Sequence, residues 1–173
     1  VYAQSQVQST EIQGFYQTYR SFSFKTGVSE IDIPETNLNG GGFTIAKNLA
    51  PWFAMWTQLT FYGAAEQPNH RVRIISNLQG LRWQTKLHGP LQLYAKGGMG
   101  FSHYSMDVEG SGFGEYKFGV AYGGGAFIWA SEHFGIVLDA THTVSGLPNL
   151  TDLSGRDKWD SGLTLASGLA IRF

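Results

Sequence analysis

The clearest order in this chain is an alternation of apolar with small or polar positions. From Trp159 to Phe173 the odd positions Leu163, Leu165, Leu169, Ile171 and Phe173 are apolar, while Asp160, Gly162, Thr164, Ala166, Gly168, Ala170 and Arg172 are small or polar. A period of two is the mark of a β-strand with one apolar face. From Pro90 onward the same order returns, with Leu91, Leu93, Ala95, Met99 and Phe101 against Gln92, Tyr94, Lys96, Gly98, Gly100, Ser102 and Tyr104. A third clean case sets Phe53, Met55, Leu59 and Phe61 against Ala54, Trp56, Gln58, Thr60 and Tyr62. Strand-like segments are expected at 10–24, 39–50, 52–63, 71–86, 90–105, 114–130, 133–145 and 159–173. Around Ile74-Ile75-Ser76-Asn77 and Gly123-Gly124-Gly125 the alternation slips, and a bulge or glycine kink is expected there.

The connections alternate in length. Short ones fall at Asn48–Pro51, Leu87–Gly89 and Ser131–His133, and long ones at Lys25–Leu38, Gly63–His70, Met106–Phe113 and Gly146–Lys158. Short turns at one end and long, polar loops at the other suit antiparallel neighbours in a membrane barrel. No run of about 18 apolar residues occurs, which excludes a transmembrane helix. A closed barrel is the other backbone arrangement that satisfies its hydrogen bonds in lipid.

Composition decides which face points outward. Charged residues make up 14% of the 173 residues, aromatics another 14%, and there are 23 glycines. A soluble domain holds about 25% charged residues, so this chain is short of the groups that would wet an ordinary surface. A soluble lipocalin-like carrier, the alternative, places its apolar face inside. Here Gln58, Gln92, Lys96, Asp139 and Arg172 fall on the other, polar face, which suits a narrow, filled lumen. Trp52, Trp83, Trp129, Phe134, Trp159 and Phe173 cluster near strand ends, where an aromatic girdle is expected. The expected fold is therefore all-β, an eight-stranded antiparallel transmembrane up-and-down β-barrel over 10–173, with 1–9 as an N-terminal extension. Val1-Tyr2-Ala3 before Gln4 has the small-residue pattern of a signal-peptidase site. With a net charge of −1, no basic face offers itself to nucleic acid. The absence of cysteine removes disulfides and thiolate metal sites.

Several runs carry a family resemblance. They are Gln13-Gly14-Phe15-Tyr16-Gln17, Leu38-Asn39-Gly40-Gly41, Asn48-Leu49-Ala50-Pro51-Trp52, Gln79-Gly80-Leu81-Arg82, the glycine clusters at 97–100 and 123–125, and the closing Ser167-Gly168-Leu169-Ala170-Ile171-Arg172-Phe173. Together they resemble the small outer-membrane β-barrel proteins of the OmpA/OmpX-like superfamily, over nearly the whole chain. The terminal Phe173 after alternating apolar residues is similar to the signal read by the barrel-assembly machinery. The resemblance implies a monomer in the outer membrane of a Gram-negative bacterium, amid its lipids and lipopolysaccharide, with both termini in the periplasm. It implies a structural or surface-interaction role and no enzymatic one. One departure stands out: Phe134-Gly135-Ile136-Val137-Leu138 lacks the inward basic residue that members often carry in the seventh strand.

Candidate chemistry is sparse. Arg82, Lys96, Lys117, Asp139 and Arg172 lie on strand segments and are expected to share the lumen as an ion-pair network. Their rearrangement as the gate of a narrow ion-conducting pore is the alternative. His103 and Ser105 share a strand face, as a base and nucleophile must, and Glu115 on the next strand is placed to orient the histidine. That set is similar to outer-membrane lipid A deacylases, but a two-residue motif is weak. The histidines are scattered over different segments, so no metal is expected. The glycine clusters sit inside strands and precede no helix, so no phosphate-binding cofactor is expected.

Overall fold

The computed structural model describes residues 9–25, 32–63, 66–67, 70–86, 88–108, 111–146 and 160–173. Eight long strands run through them: β1 Thr10–Lys25, β2 Asp32–Ala50, β3 Phe53–Tyr62, β4 His70–Gln84, β5 Leu91–Val108, β6 Ser111–Trp129, β7 Phe134–Ser145 and β8 Asp160–Arg172. A two-residue strand, Glu66–Gln67, pairs with the start of β4. Each strand pairs antiparallel with its chain neighbours, and β1 pairs with β8 from Glu11↔Arg172 to Arg20↔Leu163. That last pairing closes the sheet into a barrel and leaves no long strand with an open edge. At the seam, Phe173 N donates to Thr10 O at 2.9 Å and Thr10 N to Phe173 O at 3.3 Å.

The alternation read from the sequence becomes an inside-out partition. Leu163, Leu165, Leu169, Ile171 and Phe173 are exposed, while Gly162, Thr164, Ala170 and Arg172 are buried. The same division holds in β5 and β3, where Gln92, Tyr94, Ser102, Tyr104, Trp56, Gln58 and Thr60 fill the interior. Polar side chains inside and apolar ones outside overturn the lipocalin-like alternative. Among the described residues no helix is long and apolar enough to cross a membrane.

Three expectations are corrected. The slips at 74–77 and 123–125 are not bulges: the pairing of β4 with β3 and β5, and of β6 with β5 and β7, runs without a shift. The chemistry changes sides instead, since Ile74 and Leu78 point inward while Asn77 and Gln79 point outward. The long connection at 106–113 is mostly strand, because β5 and β6 stay paired out to Val108↔Ser111. In the same way β2 begins at Asp32, ahead of the expected 39. Polar residues such as Asp107 read as loop by composition, yet beyond the apolar belt a strand needs no apolar face to stay paired.

Glycines inside the wall make room for inward aromatics. A Cβ at Gly98 would sit 2.7 Å from the Trp56 ring, and one at Gly125 would sit 2.7 Å from the Tyr94 hydroxyl. In the turn before β5, Gly89 takes a φ of +59°, a conformation that costs other residues energy. Of the proposed N-terminal extension, residues 1–8 lie outside the described residues. Ser9 belongs to the barrel: its carbonyl accepts from Asn48 N at 2.9 Å, and its hydroxyl oxygen from Asn48 Nδ2 at 2.8 Å.

Candidate functional site: the charged lumen

Two polar layers fill the barrel. The first lies at the end that holds the chain termini and is organised by Glu11, a residue that the sequence analysis did not single out. Glu11 sits near the start of β1 on the inward row with Gln13 and Gln17, and its side chain has no exposure. Arg82 Nη2 donates to Glu11 Oε2 at 2.6 Å; Arg172 donates to Oε1 from Nη2 at 2.8 Å and from Nε at 3.1 Å. Asn48 Nδ2 adds a donor to Oε1 at 3.0 Å. The carboxylate thus meets two guanidiniums and an amide, the kind of full pairing that a desolvated charge requires.

Aromatic rings complete the layer. The Arg172 guanidinium lies 3.9 Å from the Trp129 ring centroid, and Arg82 lies 5.0 Å from that of Phe127. Gln92 Oε1 accepts from both Arg172 Nη2 and Trp129 Nε1, each at 3.1 Å. These contacts correct the expected girdle: Trp129 is only 5% exposed and faces the lumen. Its parity within β6 follows Phe127 and Ala121, and the lumen offers its N–H an acceptor that lipid does not. Trp52, Trp83, Phe134 and Phe173 are exposed at this end of the barrel, with Phe53 packed 5.5 Å from Trp52 and 5.7 Å from Trp83 between ring centroids. Trp159 lies outside the described residues.

The second layer sits at mid-height. Lys96 Nζ is 3.0 Å from Asp139 Oδ1 and donates to Gln58 Oε1 at 3.3 Å. Tyr94 and Thr141 donate their hydroxyl protons to the two oxygens of Asp139. Toward the loop end the lumen becomes hydroxyl-rich. Ser102 donates to Ser76 at 2.9 Å, and Tyr104 and Ser145 share a hydrogen bond of 2.8 Å. Lys117 is buried there, 5.0 Å from the Tyr104 ring centroid. A cavity of about 20 Å³ lies between these hydroxyls and Asp139, lined also by Gln17, Tyr62 and Thr164. That volume is enough for a water molecule. Gln17 Nε2 is buried and makes no hydrogen bond of ordinary geometry.

The five charged residues picked out from sequence therefore all reach the lumen, but in separate groups. Arg82 and Arg172 converge on Glu11, Lys96 on Asp139, and Lys117 lies near the Tyr104 ring. Glu11 was legible in principle, since it shares parity with Gln13 and Gln17.

Of the His103, Ser105 and Glu115 set, the structure describes the side chains of the first two. His103 and Ser105 are on the outward row of β5, with the imidazole 4.5 Å from the Tyr116 ring centroid. Glu115 pairs in register with Tyr104, whose row faces the lumen, whereas His103 pairs with Tyr116. Among the described residues, no group of His, Asp or Glu is placed to hold a metal ion.

No family model matches the chain, and no curated protein sequence does. Solved structures do. Neisserial surface protein A (NspA) superimposes with a TM-score of 0.76 at 12% identity, covering 95% of this chain and 97% of NspA. Ail, the attachment invasion locus protein of Yersinia pestis, gives 0.61 at 18% identity over 96% of this chain and 99% of Ail. The N-terminal β-barrel domain of Pseudomonas aeruginosa OprF gives 0.61 at 16% identity, over 96% and 98%. Built on a closed ring of eight antiparallel strands, apolar without and polar within, the chain has the fold of the small outer-membrane β-barrels typified by NspA, Ail and the OprF barrel domain.

Proposed function

We propose that this protein is a small bacterial outer-membrane barrel whose role is structural or interactive, with both termini in the periplasm and the connections at the opposite end presented outside. The observation that carries this reading is the Glu11–Arg82–Arg172 layer, which closes the terminal end of the lumen with paired charges and packed rings. Eight strands leave an interior just wide enough for side chains to fill, so passage of large solutes is not part of the role. The exposed row Leu163, Leu165, Leu169, Ile171 and Phe173 would serve as the signal read by the assembly machinery, and the apolar wall would meet outer-membrane lipids and lipopolysaccharide. Catalysis is not part of this reading. For Ail, a structure in complex with the heparin analogue sucrose octasulfate is known. This supports, by analogy of fold, loop-end recognition of external molecules here.

The hydroxyl-lined cavity beside Lys96 and Asp139 favours a second reading, a narrow ion path gated by that pair. Single-channel recording of the refolded protein in a planar bilayer, with Lys96→Ala alongside, separates the two. Insertion with no openings in either protein supports the plugged barrel. Discrete small openings that the substitution changes support the gate.

A further inference from the structure

The outer wall holds a cluster that its surroundings do not explain. Thr57 on β3 and Asn77 and Gln79 on β4 are exposed on the outward face. Thr57 pairs in register with Gln79, and Asn77 lies two residues along the same row. Around them Met55, Phe61, Ile75, Leu81, Met99 and Phe101 are all exposed apolar side chains. Other outward polar side chains of the described wall are aromatic pairs, as Tyr122 with His142 and Tyr116 with His103, or single residues such as Ser167, Lys47 and Arg73, whereas this group carries two carboxamides. Neither amide side chain has a hydrogen-bond partner within the described residues.

Their depth matters. With strands tilted by about 40°, each residue climbs about 2.5 Å along the barrel axis. Gln79 then stands about 10 Å and Asn77 about 15 Å above exposed Trp83, near the middle of an apolar band about 25 Å tall. At that depth there is neither water nor a lipid headgroup to satisfy an amide. A carboxamide donates and accepts at once, so its natural complement is another carboxamide at the same depth. A second copy related by a two-fold axis along the membrane normal supplies one, because that operation preserves depth and brings the same patch to face itself.

We propose that the β3–β4 face is a self-association surface, on which two copies of this barrel meet through Asn77 and Gln79, with Thr57 beside them and an apolar rim around. This departs from the monomer expected from sequence and rests on the outer-membrane reading proposed above.

The absence of cysteine makes the test clean. Gln79→Cys, and as control Leu169→Cys on the opposite wall at similar height above its own terminal end, are refolded into phosphatidylcholine vesicles and treated with a short thiol cross-linker. Protease protection of the strands reports insertion separately. The proposal expects cross-linked dimers with Gln79→Cys and few with Leu169→Cys. It also expects Asn77→Leu/Gln79→Leu to weaken dimerisation about tenfold by fluorescence energy transfer between labelled copies, as the loss of two or so intermembrane-helix-strength polar contacts would. Inserted protein that cross-links equally at both sites, or at neither, overturns the dimer and leaves the barrel reading intact. Failure of the wild type to insert overturns the membrane reading and the dimer with it.

Discussion

The two halves of the lumen are built from different chemistry. At the terminal end a single carboxylate, Glu11, holds two guanidiniums and an amide, and rings of Phe127 and Trp129 pack against the cations. Toward the loop end, Ser, Thr and Tyr hydroxyls and Asp139 line a cavity of about 20 Å³. The first half is a packed layer in which each charge depends on the others. The second is a looser polar lining where water can stand in for a missing partner. The difference shows where a barrel of this width keeps its structural integrity and where it keeps room: the plug sits at the terminal end of the β1–β8 seam, and the cavity lies farther along the same seam, where Gln17 and Thr164 line it.

The largest effect is expected from Glu11→Ala. It leaves Arg82 and Arg172 buried without their carboxylate, a change that costs about 3–5 kcal/mol. Urea unfolding of the refolded protein in vesicles would measure it; a loss below about 1 kcal/mol would mean that water reaches this layer after all. Gly125→Ala comes next. The added Cβ would lie 2.8 Å from Tyr94 Cζ and still closer to the Leu138 carbonyl, and such overpacking costs about 1–3 kcal/mol. The same unfolding assay applies, and an unchanged midpoint would show that Tyr94 needs no glycine beneath it.

Asp139→Asn tests the looser half directly. It removes the partner of Lys96 but retains a side chain that Tyr94 and Thr141 can still bond, so its cost should fall below that of Glu11→Ala, at about 1–2 kcal/mol. Equal losses for the two substitutions would erase the contrast between the halves. The smallest effect is expected at Gln17. Replacing its poorly satisfied amide in Gln17→Leu should change stability by less than about 1 kcal/mol in either direction, and a larger loss would point to an ordered water held by Nε2.

What the sequence determined by itself is the pattern repeated within each strand. Alternation in 53–62, 91–104 and 160–173 is a local property, because a strand turns every second side chain to the same side whatever it pairs with. From it follow the polar interior and the inward placement of Lys96 and Arg172. The pattern failed where side-chain chemistry and parity disagree. Trp129 is expected outward from its place near a strand end, and Ile74-Ile75-Ser76-Asn77 reads as a slip in the strand. In each case the unbroken pairing of neighbouring strands overrode the local preference, since shifting the register by one residue would have turned every other side chain of the strand to the wrong face.

Only the tertiary structure decided which charges share a partner. Glu11 and Arg172 are 161 residues apart, and they meet because β1 and β8 pair when the ring closes. Arg82 reaches the same carboxylate across the lumen from β4, a contact set by the barrel's diameter and tilt rather than by any spacing along the chain. Local alternation places a cation inside; closure chooses its carboxylate.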